Sequence, residues 1–288
     1  MIQRLAIIGL GLIGGSVARA VRAAGKAGSI SGYDPDPQQR EAAIRLGVLD
    51  RLGSSAADAV ADANMVILAV PVLRTAAALE ACLPGLRPQV VVSDVGSTKL
   101  SVLHDVEQLL GELPPWFVAA HPIAGTEKSG VANAQTELFR NRRVIITPHP
   151  RQSAAAQDSV AALWRAVGAR VVEMDAARHD AIFAATSHLP HLLAYSFVDM
   201  LAQQPGCTDI FANAGGGFRD FTRIASSSEL MWHDIVRANA GPVGTLLRQQ
   251  IAELQRVQEL LDSGRWDDLK ALFGRARAAR EQYLGQIE

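Results

Sequence analysis

The chain has 288 residues, 49% of them apolar and 20% charged, and its 28 lysines and arginines against 29 aspartates and glutamates leave a formal net charge of -1. That length carries one large domain or two moderate ones, and the balance of charge excludes a broad field that would recruit nucleic acid or an anionic membrane, so a small-molecule partner is expected. Two cysteines, Cys82 and Cys207, without a CxxC neighbour exclude a disulfide framework and a cysteine metal site and fit a reducing compartment.

The opening MIQRLAIIGLGLIGG pairs a charged start with an apolar run, as a signal peptide does, but Gly9, Gly11, Gly14 and Gly15 interrupt it and no export-type cleavage site follows. It reads as structure. No uninterrupted apolar stretch of about 20 residues occurs, so no spanning helix is expected and the protein is expected in the cytoplasm.

Short β-rich runs follow at Leu5 to Ile8, Ser29 to Tyr33, Met65 to Val70, Val90 to Ser93, Phe117 to Ala120, Val144 to Thr147 and Arg170 to Met174. Segments with apolar residues at helical spacing lie between them, such as Pro37 to Leu46 and Lys99 to Leu110. This alternation predicts a Rossmann-like, doubly wound, mostly parallel sheet covered on both faces. After about Asp175 strand-like runs stop, and Gly244 to Leu261 and Trp266 to Tyr283 read as helices. The expectation is an α/β dinucleotide-binding domain over 1–175 and an all-helical domain over 176–288.

Gly9-Leu10-Gly11-Leu12-Ile13-Gly14 sits between the first strand and a helix. Glycines there let the backbone approach a pyrophosphate, which then faces the helix N–H groups of Leu12 and Ile13. The second strand ends at Asp34, 25 residues after Gly9, where a carboxylate accepts from ribose hydroxyls and repels a 2′-phosphate, which favours NAD over NADP. Arg40 nearby is the one residue that argues the other way.

Ligands of an open parallel sheet lie beyond the carboxyl ends of its strands. Val70 and Pro71 at the end of the third, Asp94 to Lys99 after the fourth and His121-Pro122 after the fifth should therefore converge on one crevice. From the residues alone, His121 is either a base facing a nicotinamide or a hydrogen-bonded structural histidine.

The segments GLGLIGGS, DVGSTK, HPIAGTEKSGV, SHLPH at 187–191 and GGGFRDFTRIASSSELMW at 215–232, in this order, resemble the prephenate and arogenate dehydrogenases of tyrosine biosynthesis. The resemblance implies NAD(P)-dependent oxidative decarboxylation of a cyclohexadienyl substrate. It also implies roles: His121 as catalytic base, Ser97 between substrate and nicotinamide, and Arg223 on a substrate carboxylate. His191 is implied as a contact to the substrate side chain, with His188 its companion; Thr126 and Glu127 lie at the pocket entrance, and Gly216 permits close backbone approach. Arg219 reads as an ion-pair partner and Lys128 as solvated. No third ligand accompanies His188 and His191 at a convincing spacing, so no metal is expected. The family pairs through its helical domain, which implies a homodimer, and if both domains are complete no separate regulatory module is expected. Two other readings stay open: a β-hydroxyacid-type dehydrogenase using Lys99 or Lys128 to handle protons, and a non-catalytic NAD-binding regulator.

Overall fold

A computed structural model describes residues 2–287. The chain divides into two compact units, Met1–Ala240 and Gly241–Glu288. The larger unit is built from β1 (Ile2–Ile8), α1 (Leu12–Ala23), β2 (Ala27–Tyr33), α2 (Pro37–Arg45), β3 (Arg51–Leu52), α3 (Ala56–Val60), β4 (Met65–Leu68), α4 (Thr75–Cys82), β5 (Val91–Asp94), α5 (Leu100–Leu110) and β6 (Phe117–Val118). It continues with β7 (Ala120–Pro122), β8 (Arg143–Ile146), α6 (Ala154–Ala166), β9 (Arg170–Glu173), α7 (Ala176–Phe183), a π-helical turn at Ala184–His188, α8 (Leu189–Ala202), α9 (Cys207–Ala212), α10 (Gly216–Thr222) and α11 (Glu229–Ala238). The smaller unit holds most of α12 (Ala240–Asp262) and α13 (Trp266–Ile287).

Six strands form a wholly parallel sheet in the order β3-β2-β1-β4-β5-β6, with the strand order reversing between β1 and β4. Parallel strands are covered on both faces, which is why β4 is buried along all four residues and reads Met-Val-Ile-Leu with no polar alternation. Side chains of β1 alternate between two cores, Leu5 and Ile7 packing on one face and Ala6 and Ile8 on the other. Several helix starts are written locally. Asp36 accepts from Gln38 N ahead of Pro37 at the first position of α2, and Asp175 accepts from Arg178 N at 2.9 Å to open α7.

Two sequence expectations are corrected. Phe117 to Ala120 is not one strand: β6 ends at Val118, Ala119 accepts from Thr147 N at 3.0 Å, and β7 begins a second sheet of order β7-β8-β9 in which it runs antiparallel to β8. His121 therefore lies within a strand, opposite Ile145, rather than beyond a strand end. The cause is tertiary pairing across the chain, because the residues from Phe117 to Ala120 are uniformly apolar and buried. The two-residue β3 was not expected.

The helical stretch after β9 joins the same core. Trp232 and Ile235 of α11 belong to the cluster that holds Ile8, Leu68, Val72 and Val102.

Candidate active site

The glycine loop lies at the topological switch point between β1 and β4, the crevice position for a ligand in this architecture. Gly9 takes φ of +96°, and a Cβ there would overlap the carbonyl oxygen of Ala69; a Cβ on Gly14 would overlap that of Gly9. Both positions are reserved for glycine by space. Gly11, by contrast, would point a Cβ into open space, and it starts α1 with no side-chain cap. An uncapped helix start beside open space is the cradle that a pyrophosphate fills, so the residues fit a dinucleotide.

Asp34 ends β2 half-buried. Its carboxylate accepts from Leu10 N at 2.7 Å and from Asp36 N at 2.9 Å, which ties the end of β2 to the glycine loop. Arg40 donates to the carbonyls of Asp34 at 2.7 Å and Pro35 at 3.0 Å and lies over the Tyr33 ring. Its guanidinium is thus committed to the loop. Val70 and Pro71 follow β4, and Val70 packs beside Gly9.

Beyond β5, the DVGSTK segment forms a buried knot. Asp94 accepts from Gly96 N at 2.7 Å and Ala120 N at 3.0 Å and pairs with Lys99; the Lys99 ammonium also donates to the Ala120 carbonyl at 2.8 Å. Both side chains are fully buried. Burial pushes Lys99 below the usual ammonium range, and the Asp94 charge opposes that shift. Ser97 sits half-buried in the turn above this pair.

The knot fixes the backbone immediately before His121, a buried residue whose Nδ1 lies 2.9 Å from His179 Nε2. His179 Nδ1 in turn lies 2.7 Å from Asp180 Oδ1. Phe183 packs edge-on against His121, with centroids 4.9 Å apart. Desolvation above all, with the nearby Lys99 charge, holds His121 well below the ordinary imidazole range, so it is neutral at physiological pH.

The paired histidines are placed by α8 and the turn before it. Pro190 has no N–H for a helical bond, and the preceding turn widens into a π-helix. His188 is buried, with Nδ1 3.0 Å from the Asn239 amide; His191 Nδ1 donates to Ser187 O at 2.8 Å, and its ring stacks on Trp232 at 3.4 Å. Trp232 therefore serves the core and the wall beside His191, and its buried Nε1 has no partner among the described residues.

Arg223, just after α10, forms an ion pair with Glu127, which brings this guanidinium to the loop six residues past His121. The ion pair of this region is made by Arg223; Arg219 makes none among the described residues. Thr126 Oγ1 accepts from Lys128 N at 3.3 Å, Lys128 is exposed, and Gly216 is exposed in the first turn of α10.

Sequence reasoning missed His179, Asp180 and Asn239. The available signal was a His-Asp pair inside AARHDAIF, a helix otherwise apolar except for the exposed Arg178, where two polar groups have no reason to be buried unless they are partnered. A cleft of about 980 Å³ at the amino ends of β1, β4 and β5 contains none of these groups; in this architecture position, and not volume, locates the site.

Burial of neutral histidines makes stability pH-dependent. His188 is lowered to about 4, chiefly by desolvation. The unfolded chain binds this proton first as pH falls, so stability is full above about 6.5 and is lost between 6.5 and 4, by about 3 kcal/mol in all. His121, His179, His149 and His191 are shifted the same way. Melting temperatures measured from pH 8 to pH 4.5 should fall steadily below 6.5; a flat profile would contradict this.

A parallel dinucleotide-type fold with a glycine loop at its switch point and a buried neutral imidazole just past the carboxyl end of β6 is the frame of a nucleotide-dependent oxidoreductase. Residues 17–173 match the prephenate dehydrogenase nucleotide-binding domain and residues 175–275 the prephenate dehydrogenase dimerization domain. A cyclohexadienyl dehydrogenase of Zymomonas mobilis is 36% identical over 96% of this chain and 95% of its own, and a prephenate dehydrogenase of Bacillus subtilis is 35% identical over 98% of this chain and 75% of its own. The structure of prephenate dehydrogenase from Aquifex aeolicus in complex with hydroxyphenyl propionate and NAD+ superposes with a TM-score of 0.90 at 34% identity, covering 98% of both chains. The chain belongs to the prephenate dehydrogenase family and is, with it, an oxidoreductase.

Proposed function

We propose that the protein oxidatively decarboxylates prephenate, L-arogenate or both with NAD, in tyrosine biosynthesis. The observation that carries this is the buried, neutral His121, three residues past the carboxyl end of β6 and next to the Ala120 backbone that Lys99 and Asp94 hold. NAD, cradled by Gly9, Gly11, Leu12, Ile13 and Gly14 with Asp34 on its ribose and Val70 and Pro71 alongside, supplies the hydride acceptor. His121 takes the substrate hydroxyl proton through Nε2, the ring nitrogen that His179 does not occupy. The carbonyl forms as the carbinol carbon gives up its hydride; the bond to the ring carboxylate then breaks, carbon dioxide leaves, and the electron pair of that bond completes the aromatic ring as the carbonyl becomes a phenolate oxygen. The proton on His121 then returns to the phenolate oxygen, which restores the base. Ser97 orients the reacting carbon by hydrogen bonding. Arg223 holds a substrate carboxylate as a fork, with Glu127 and Thr126 at the entrance, Gly216 against the ligand, and His188 and His191 toward the substrate side chain.

Asp34 favours NAD over NADP by repelling a 2′-phosphate, and Arg40 is engaged with the carbonyls of Asp34 and Pro35. The dinucleotide domain runs to about residue 175, where the two family models meet. A homodimer forms through the helical part, supported by the matching dimerization domain and by the exposed Ile251, Leu254 and Phe273. Among the described residues no helix is long and apolar enough to cross a membrane, and a biosynthetic role supports a cytoplasmic location.

Steady-state assays of prephenate and L-arogenate, each with NAD and NADP, test this reading. The expected result is NADH formation with release of carbon dioxide, and a kcat/KM at least about tenfold higher with NAD. Turnover of neither substrate would refute it, and equal use of both nucleotides would refute the role of Asp34.

A further inference from the structure

We infer that His179 and Asp180 are positioning residues that set the tautomer of His121 and support the charge it acquires. This rests on the reading of His121 as the base, and follows from what each group can donate. Asp180 can only accept, so the His179 hydrogen sits on Nδ1 and points at Oδ1 over 2.7 Å. Burial holds His179 below the ordinary imidazole range despite Asp180, and it is neutral. Its Nε2 is then a lone pair, and the 2.9 Å contact requires His121 to donate from Nδ1. The other nitrogen, Nε2, is left unprotonated. Three side chains in a row thus leave His121 able to accept only through Nε2.

Asp180 is anchored more firmly than a helix cap needs. Oδ1 accepts from Lys99 N at 2.8 Å and Oδ2 from Leu100 N at 3.0 Å, at the start of α5, and its own carbonyl accepts from Asn239 at 2.8 Å. A local side chain would suffice to cap α5, whose preceding Thr98 instead bonds Ser101 at 2.6 Å. The additional bond, from Oδ1 to His179, is what the cap does not explain.

The charges facing His121 sort cleanly. Lys99 is matched by Asp94, and His188 is neutral, leaving the Asp180 carboxylate, moderated by the amino end of α5, as the charge the ring pair meets. When Nε2 takes a proton, His121 donates more strongly to His179, which relays the stabilisation from Asp180. Phe183 packs against both rings, at 4.9 Å and 4.5 Å, and blocks their rotation out of line.

Three variants of the full chain test this: His179→Leu, which deletes the acceptor; His179→Gln, which can return an acceptor near the Nε2 position; and Asp180→Asn. The amide of Asp180→Asn would donate to His179 Nδ1, reverse both tautomers and place the hydrogen on His121 Nε2. A carboxylate-to-amide exchange of this kind costs about 10⁴-fold in the serine-protease triad. For His179→Leu and Asp180→Asn, kcat should fall by about 10²- to 10⁴-fold with KM changed less than about threefold. The acid limb of the kcat–pH profile should move to lower pH in His179→Leu, because loss of the relay lowers the basicity of His121. His179→Gln should recover at least about tenfold of the loss. Wild-type kcat and an unmoved acid limb in His179→Leu would overturn the inference, as would a His179→Gln variant no better than His179→Leu. ¹⁵N-detected imidazole spectra of the wild-type protein read the tautomer without any variant or turnover: a protonated Nε2 on neutral His121 overturns the inference. Absence of wild-type turnover would instead refute the proposed function while leaving that spectrum to judge the tautomer.

Discussion

Replacement of His121 by asparagine is expected to lower kcat by about 10²- to 10⁴-fold while leaving nucleotide affinity and KM close to wild type. Asparagine keeps a polar group toward His179 and removes only the proton acceptor. The size of the loss follows from the absence of a substitute. Lys99 is fully buried and spent on Asp94 and the Ala120 carbonyl, His179 is turned toward His121 and Asp180, and His188 is held by the Asn239 amide. Steady-state kinetics and nucleotide titration check this, and a variant retaining kcat within about tenfold of wild type would remove His121 from the chemistry.

Lys99→Met is expected to act on stability. Lysine removal leaves Asp94 buried, with the N–H groups of Gly96 and Ala120 as its remaining donors and no cation. Breaking a buried ion pair from one side costs about 3–5 kcal/mol, because an uncompensated charge stays in the interior. For a chain of this size the melting temperature should drop by about 10 °C. The double variant Lys99→Met with Asp94→Asn should recover part of the loss, since the stranded charge goes with its partner. This experiment also separates two kinds of dehydrogenase. Were Lys99 a proton-handling residue, its replacement would also abolish turnover of the folded variant at temperatures well below its melting point.

The parallel sheet was legible because buried strands such as Met65 to Leu68 are written as unbroken apolar runs, and the glycine loop because Gly9 and Gly14 occupy positions that admit no Cβ. Asp34 was legible by its place at the end of β2. The break at Ala119 was not, since nothing in an apolar run marks where it leaves one sheet for another; only the pairing with Thr147 and Ile146 determines it. His179 and Asp180 were hidden for a related reason. Their partners lie 58 and 81 positions away, and no periodicity encodes which distant strand or helix start a polar side chain will meet. Glu127 and Arg223 were legible as residues with matching charge, through the family motifs that contain them, while their pairing was supplied by the fold.

The knot of Lys99, Asp94 and the Ala120 backbone has an evolutionary consequence. It anchors the strand that carries His121 in the amino-terminal half, with Asp180 of α7 as a further support through Lys99 N, whereas Arg223 comes from the turn after α10 and can change without disturbing these contacts. On the proposed roles, descendants of this scaffold are free to exchange the tail of the molecule they oxidise around Arg223 while keeping the mounting of His121.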